Sequence, residues 1–568
     1  MRSLTDRTVD LLVIGGGIVG AGIARDAALR GLKVALVEQS DFAAGTTSRP
    51  TRLIHGGLRY LELFDFGLVR SDMREREILL RIAPHLVFPL AFLLPLYRPS
   101  FFYQLKLRIG MQLYDALSLD KSLPKRQHLD RAATLAAEPA LEPDGLAGAW
   151  RFYDAQALDK SLPKRQHLDR AATLAAEPAL EPDGLAGAWR FYDAQVPLVE
   201  RLVVENIVDA SRHGAVVLNH TRATGYIREG TRVTGATVRD QIAGRELEIR
   251  AHFTVNATGP WLDRTIAPLR REPAPLLRLT KGIHLVTRRA TRQAHVLFAE
   301  SDGRLFFVLP WLDATIVGTT DTDYTGDPAD AAPTEDDIRY LQDGARRAFP
   351  NAPFDDIYFT WAGVRALVRV EGVSESEVSR KHALFDHERR EGVAGVLSVV
   401  GGKITAYRAI AEEVTDLVAR KLGAPRVPSR TAELPLPGAE GADLAARASA
   451  LGVGDRALAH LRSVYGSRAG LLIEVVATDP SLREPLCPHD PGIAAELVHA
   501  VRHEWARTIG DALLRRTALG LRACQGLDCL DDIASRMGAL LGWDAARRTA
   551  EVAAYRREIE PMRRFSME

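Results

Sequence analysis

Residues 10–20 read Asp10-Leu11-Leu12-Val13-Ile14, then Gly15-Gly16-Gly17-Ile18-Val19-Gly20, and an alanine-rich stretch follows to Arg30 and Gly31. A short apolar run, a glycine turn and a helical stretch form the strand, turn and helix that a dinucleotide's pyrophosphate requires. Gly15 permits the tight turn, Gly17 lets the backbone approach the phosphates, and Gly20 lets helix and strand pack closely, with the helix N-terminus facing the negative charge. The next strand, Val34 to Glu38, ends in an acid placed to accept hydrogen bonds from an adenosine ribose, which favours an unphosphorylated ribose. Glycine-rich turns are common alone; both strands and the acid in register make this one specific.

At 568 residues the chain exceeds one hydrophobic core, so two or three domains are expected, and 46% hydrophobic content can fill them. With 74 basic against 73 acidic residues there is no global field for nucleic acid or an anionic bilayer, and any anion site must be local. Cys487, Cys524 and Cys529 lack zinc-ligand spacing, so no metal site is expected and reduced thiols suit a cytoplasmic location. The apolar run near the start reads as a strand rather than a secretion signal, because Asp10 precedes it and glycines interrupt it. Leu86 to Leu96 carries Pro89 and Pro95 and falls short of the ~20 residues that span a bilayer, so any membrane contact is expected to be peripheral.

Residues 119–156 recur without one change as residues 158–195, an offset of 39. Two identical copies are not a solenoid, which needs three or more to bury a shared face. Only one copy is expected to dock natively. The second runs directly into the helical pattern from Val196 to Asn206, so it is assigned the native path; the other is expected to loop out at the surface, because loop-closure cost grows only logarithmically with length.

Phe253 to Gly259 reads as a late strand returning the chain to the dinucleotide, with Thr258 and Gly259 in its exit turn. Val396 to Val400 is again a strand followed by glycines, Gly401 and Gly402, then Lys403, Ile404, Thr405 and a helical stretch. A second helix N-terminus of this kind suits the charged edge of a reduced flavin, which a nicotinamide would not need. Thr46, Thr47 and Ser48 are either donors to the pyrophosphate or plain turn residues, and Arg52 is placed against the flavin edge.

At this point the residues resemble a known family. Ile14 to Asp26 with Arg30-Gly31, and Gly401 to Arg408, resemble the two signatures of FAD-dependent glycerol-3-phosphate dehydrogenases. Between them lie Leu53 to Glu62, Asn256 to Trp261, Lys281 to His284, Gly318 to Asp323 and Gly363 to Arg365, in family order. Ala406 departs from the second signature, and Val196 to Arg201 replaces an acidic pair that many members carry near Tyr192 and Asp193. The resemblance implies an α/β fold: an FAD-binding Rossmann-like domain interleaved with an antiparallel-sheet substrate domain over residues 1–430, then a C-terminal helical domain over 431–568. It implies oxidation of sn-glycerol 3-phosphate to dihydroxyacetone phosphate, with electrons passed to a membrane quinone from the inner face of the cell membrane.

Oxidising a secondary alcohol this way requires a hydride acceptor and a base for the hydroxyl proton, while a phosphate ester also requires clustered cations. Arg59, Arg365 and Lys403, with Tyr60 beside Arg59, are the candidate phosphate ligands. His55 or His284 is the candidate base, since imidazole titrates near working pH; His55 is equally a candidate for fixing the flavin. Oxygen as acceptor, an amine or 2-hydroxy-acid oxidase, and a flavin-binding protein inactivated by the duplication are the alternatives. Leu86 to Arg108 reads either as an interfacial patch or as a wall of the substrate domain. A homodimer is compatible with these residues.

Overall fold

The computed structural model describes residues 7–57, 65–97, 110, 127–130, 148–151, 166–270, 274–369 and 381–566. The strand Val9–Ile14 (β1) lies between Val34–Val37 (β2) and the strand Glu246–Asn256, parallel to both. Val216–Leu218 extends the sheet beyond β2, and Val396–Val400 extends it beyond Glu246–Asn256, again in parallel. Five helices frame the site: α1 (Ile18–Leu29), α2 (Phe66–Ile82), α3 (Val199–Arg212), α4 (Tyr407–Leu422) and α5 (Ala545–Arg563).

Side chains alternate across a strand, and both faces of this sheet are covered, which is why its sequence is almost continuously apolar. Leu11, Val13, Val34 and Leu36 pack with residues of α1, α3 and α4. Leu12, Ile14, Ala35 and Val37 join Val238 and Ile249 of an antiparallel ribbon on the opposite face.

The second sheet runs Thr322–Asp323, Leu277–Arg288, Ala314–Gly318, Leu305–Trp311, Ala294–Phe298, Phe88–Tyr97, Leu185–Gln195, Leu53–Ile54, with Ile357–Val368 also paired to Leu277–Arg288. Leu305–Trp311 pairs antiparallel with Ala314–Gly318. One face packs on the helix Glu335–Ala348, through Leu341 and Ala345. The other packs on the C-terminal helices, through Leu461, Tyr465, Leu472 and Ile473.

Leu86, Val87, Phe92, Leu93, Leu94 and Leu96 are buried, and Phe88–Tyr97 pairs along its length with Leu185–Gln195. This part of the 86–108 segment is therefore a sheet wall and not an interfacial patch; residues 98–108 lie outside the described residues. Among the described residues no helix is long and apolar enough to cross a membrane.

The C-terminal helical region is tied to the dinucleotide domain by buried charge. Arg201 of α3 meets Glu504 at 2.5 Å and Glu205 at 2.6 Å, Arg468 meets both carboxylates, and Arg515 and Arg516 both clasp Asp41 at 2.7 Å. Pairing is required here, since an uncompensated buried charge costs several kcal/mol.

The second copy of the duplication supplies the strand Leu185–Gln195 and runs straight into α3. The first repeats the same internal register, Gln127–Asp130 against Gly148–Arg151, as a separate two-stranded ribbon. Contacts that only one copy can make anchor the second: Glu177 accepts the backbone N–H groups of Arg292 (2.7 Å) and Gln293 (3.2 Å) and meets His295 Nε2 at 3.3 Å. Glu177→Ala should therefore lower stability by about 2–3 kcal/mol in a denaturant titration, because it strands buried donors. The same change at the duplicate position, Glu138→Ala, should cost less than about 0.5 kcal/mol, because those donors are already taken by Glu177; equal costs would show that neither copy is uniquely docked.

Candidate functional site

The chain crosses between the two sheets at residues 45–55, 256–260, 363–368 and 400–405, and these crossings surround one cavity of about 1310 Å³. That volume exceeds the ~300–1,000 Å³ of ordinary small-molecule pockets, as a dinucleotide plus a substrate would require. Gly15, Gly17, Val37 and Glu38, from the β1–α1 turn and the end of β2, line it together with His55, His284, Arg365, Gly402 and Lys403.

At the β1–α1 turn the backbone is close to its steric limit. Gly15 has φ of +112°, and a Cβ on it would lie 2.5 Å from the Ala257 carbonyl oxygen; a Cβ on Gly20 would lie 1.9 Å from the Gly15 carbonyl oxygen. Only glycine fits either position, and the fit aims the α1 N-terminus into the cavity. Thr47 Oγ1 accepts the Ile18 N–H at 3.2 Å, so the Thr46–Ser48 turn closes over that helix end, while Thr46 itself donates to the Val364 carbonyl at 2.7 Å. Ser48 donates back to the Gly45 carbonyl at 3.2 Å and so stabilises the turn. Glu38 accepts the Gly16 and Ser40 N–H groups at 2.7 and 2.9 Å. Burial raises its pKa, opposed by those two N–H groups, and its carboxylate stands at the rim where a ribose would lie.

A second helix end faces the same cavity. Gly401 and Gly402 adopt φ of +70° and +102°, turning the chain from Val396–Val400 into a short 3₁₀ turn and α4. Thr405 Oγ1 accepts the His55 backbone N–H at 3.2 Å, which stitches this turn to the His55 strand end. Thr258 Oγ1 donates to Asn256 Oδ1 at 2.7 Å and, with Gly259, floors the cavity between the two helix ends.

Arg365 lines the cavity, with its guanidinium on Asp321 at 2.9 Å and Thr319 Oγ1 at 2.9 Å. Lys403 lines it too, but its Nζ is ion-paired to Asp72 of α2. Arg52 is a different case from the flavin-edge ligand expected. Its four terminal N–H groups go to Glu200 (2.8 Å twice), the Pro197 carbonyl and the Ser48 carbonyl, and it lies over the rings of Trp311 and Trp361 at 4.8 and 5.2 Å. Those four N–H groups are thus committed inside the wall, while Arg52 still lines the cavity and its Nε has no hydrogen-bond partner. Within Val196–Arg201, where the sequence departs from the family pattern, Glu200 and Arg201 are both buried ion-pair partners.

His55 is half-buried at the cavity wall, its ring 6.3 Å from that of Phe307. His284 is 2% exposed, meets Thr51 Oγ1 at 2.9 Å through Nε2, and lies against Trp361. Burial, then the charges of Arg365 and Arg52, hold its pKa well below the ordinary value, so it stays neutral. Arg59 and Tyr60 lie outside the described residues.

Several cavity residues had no motif to announce them. Arg49 lines the cavity, and among the described residues its guanidinium has no hydrogen bond or ion pair; its pKa is lowered by burial and by the charge of Arg515 against that of Glu558. A guanidinium not bonded to a carboxylate suits a cavity built for a pyrophosphate. Asp511, Arg515, Tyr555 and Glu558 bring the C-terminal region into the lining. Asp72, Glu75 and Arg76 could have been found: they share the helical spacing of the buried Val69, Met73 and Leu79, a charged cluster on an apolar stripe. Asp41, His220 and Asp511 converge, but Asp41 is already neutralised by two arginines, which leaves no role for a cation there.

Comparison with known proteins agrees with this geometry. A family model described as FAD dependent oxidoreductase matches residues 10–162 and again 155–417, the two matches overlapping inside the repeat. One described as the C-terminal domain of alpha-glycerophosphate oxidase matches 429–548. A glycerol-3-phosphate dehydrogenase of Synechocystis sp. is 36% identical over 571 residues, covering 97% of this chain and 96% of that one. An aerobic glycerol-3-phosphate dehydrogenase of Staphylococcus haemolyticus is 34% identical over 91% of this chain and 88% of that one. The crystal structure of glycerol-3-phosphate dehydrogenase from Bacillus halodurans complexed with FAD aligns over 99% of this chain and 96% of that one, with TM-score 0.76 and 26% identity.

Gly15→Ala should abolish cofactor retention: the purified variant should carry less than about a tenth of the wild-type flavin absorbance, because the new methyl group collides with fixed backbone. Gly454→Ala, where nothing lies within 4 Å, should retain it fully.

Proposed function

The chain belongs to the FAD-dependent oxidoreductase family and uses FAD, and from that premise we propose that it oxidises sn-glycerol 3-phosphate to dihydroxyacetone phosphate. The observation that carries this reading is that Arg365, Lys403 and His55 line the same cavity as Gly15, Gly17 and Glu38. The printed names of the full-length relatives support the substrate.

When bound, FAD supplies the hydride acceptor, at N5 of its ring. Gly15, Gly17 and Thr47 hold the pyrophosphate against the α1 N-terminus, with Arg49 as a further cation, and Glu38 takes the ribose hydroxyls. The Gly402–Thr405 turn places a second set of backbone donors beside the reactive ring. Arg365 binds the substrate phosphate as a fork of donors, with Lys403 as a second positive charge. Arg59 and Tyr60 join them in this reading.

His55 takes the proton from the C2 hydroxyl. His284 is the poorer base, because protonating it would place a third positive charge beside Arg365 and Arg52 in a buried wall. It instead orients Thr51. The C-terminal region closes the cavity against water, which strengthens each of these electrostatic contacts. Electrons leave to a quinone at the inner face of the cell membrane; the full-length relatives are named dehydrogenases and not oxidases, which supports an acceptor other than oxygen.

Anaerobic mixing with sn-glycerol 3-phosphate should bleach the flavin absorbance, while lactate, glycine and unphosphorylated glycerol should leave it unchanged at the same concentration. Arg365→Ala should raise the concentration for half-maximal bleaching about 10- to 100-fold, the cost of one charge-assisted contact. Bleaching by lactate or glycine in preference to the phosphate ester would overturn the substrate assignment. Turnover with a soluble quinone that exceeds peroxide release in air supports quinone as acceptor; the opposite ratio overturns it.

A further inference from the structure

Beneath the His55 and Lys403 wall lies a buried cluster of three carboxylates and three cations. Asp72 and Glu75 come from α2 and Asp193 from the strand Leu185–Gln195; Arg76 comes from α2, Lys403 from the turn before α4 and Arg408 from α4. Two of the carboxylates are firmly held. Glu75 receives Arg408 through two bonds, at 2.6 and 2.7 Å, and Asp193 receives Arg76 at 2.8 Å and the Gly56 N–H at 3.4 Å. Asp72 is fully buried, yet its partner is the flexible Lys403, and its Oδ1 has no hydrogen bond.

Lys403 is the cation of the cluster that lines the cavity, and Asp193, held by Arg76, lines it too. A lysine on a four-carbon stem can exchange a buried carboxylate for an incoming anion, which a bidentate arginine does far less readily. The exchange would leave Asp72 buried, beside Glu75 and Asp193, with no counter-charge. A carboxylate in that situation takes up a proton rather than stay ionised.

We propose that Asp72 is a positioning residue that holds Lys403 against α2 and surrenders it to the anionic group of the substrate, taking one proton from solvent as it does so. The proposal rests on the reading of Lys403 as a phosphate ligand given above. No bond is made or broken beyond that proton transfer: Lys403 stays an ammonium, and Asp72 passes from carboxylate to carboxylic acid. Even with Lys403 in place, burial raises the pKa of Asp72 to about 6, the charge of Lys403 opposing it and those of Asp193 and Glu75 adding to it. The acid is therefore poised to protonate once the ammonium moves away. Anion affinity should be greatest below that value, where Asp72 is already neutral and no longer holds the Lys403 ammonium by its charge. It should fall as pH rises above it, because each binding event must then draw a proton from a scarcer supply.

Sulfate, which carries no titratable proton near neutrality, is the probe, and its inhibition constant is read in competition with glycerol 3-phosphate on the holoenzyme. In the wild type the constant should weaken by about tenfold per pH unit between pH 7 and 8.5, the slope for uptake of one proton. In Asp72→Asn it should be several-fold tighter at pH 7.5, with a slope shallower by close to that full factor. Asp72→Glu should restore the slope. Flavin content and melting temperature of each variant identify one that has simply lost its fold, and the wild-type slope is decisive on its own. A flat wild-type profile, or equal slopes in wild type and Asp72→Asn, overturns the proposal. Lys403→Met separates the two levels: if it leaves sulfate inhibition untouched, the phosphate-ligand reading of Lys403 has failed, whereas a loss of inhibition with equal Asp72→Asn and wild-type slopes rejects only the role of Asp72.

Discussion

A pyrophosphate and a phosphate ester can share one cavity inside a protein only if their negative charges meet fixed donors and cations that the fold has already arranged. Moving such groups out of water costs many kcal/mol unless they are paired. The two glycine turns meet the first part of that demand. Gly15 and Gly20 let β1 and α1 approach to a distance no side chain allows, and Gly401 and Gly402 turn α4 toward the same space. Both helices therefore point their N-termini at one cavity, and α1 packs on α4 through Gly22 and Tyr407 to hold them there.

Supplying cations creates its own difficulty, because every buried arginine or lysine must be compensated while no anion is bound. The molecule meets this with pairs that differ in mobility. Arg52 on Glu200, Arg408 on Glu75, Arg201 on Glu504 and Arg516 on Asp41 are forked and fixed, and they bind sheets, helices and C-terminal region into one frame. Arg49, Arg365 and Lys403 face the cavity, Arg365 held by Asp321 and Thr319 and Lys403 by Asp72, none of these in the two-bond fork of the fixed pairs. Fixed pairs give the frame its shape; the others are those that a ligand can take over.

The parts of this arrangement that local sequence could announce were legible. The Asp10–Gly20 turn, the acid at Glu38, the strand at Val396–Val400 and its glycines each obey a rule of backbone geometry, and the structure places them around one cavity. The partners of Arg52 were not legible because a motif gives a position on the chain but not a partner: Glu200 and the two tryptophans that enclose it come from distant segments. Asp72 was missed for the same reason, although a charged side chain within the buried stripe of α2 was a visible signal. The apolar stretch from Leu86 was ambiguous in sequence because a buried strand and a lipid-facing patch share a composition; pairing to Leu185–Gln195 decides it. Which copy of the repeat docks was legible from continuity alone, since both have the same side chains and only the second leads directly into α3.

The most direct measurement is a crystal structure of the flavin-loaded protein with dihydroxyacetone phosphate. The phosphate should lie within hydrogen-bond distance of the Arg365 guanidinium and Lys403 Nζ, with Lys403 drawn away from Asp72 and the carbonyl carbon facing the flavin ring. A phosphate bound elsewhere, with Arg365 and Lys403 still on Asp321 and Asp72, would contradict the assignment of this cavity.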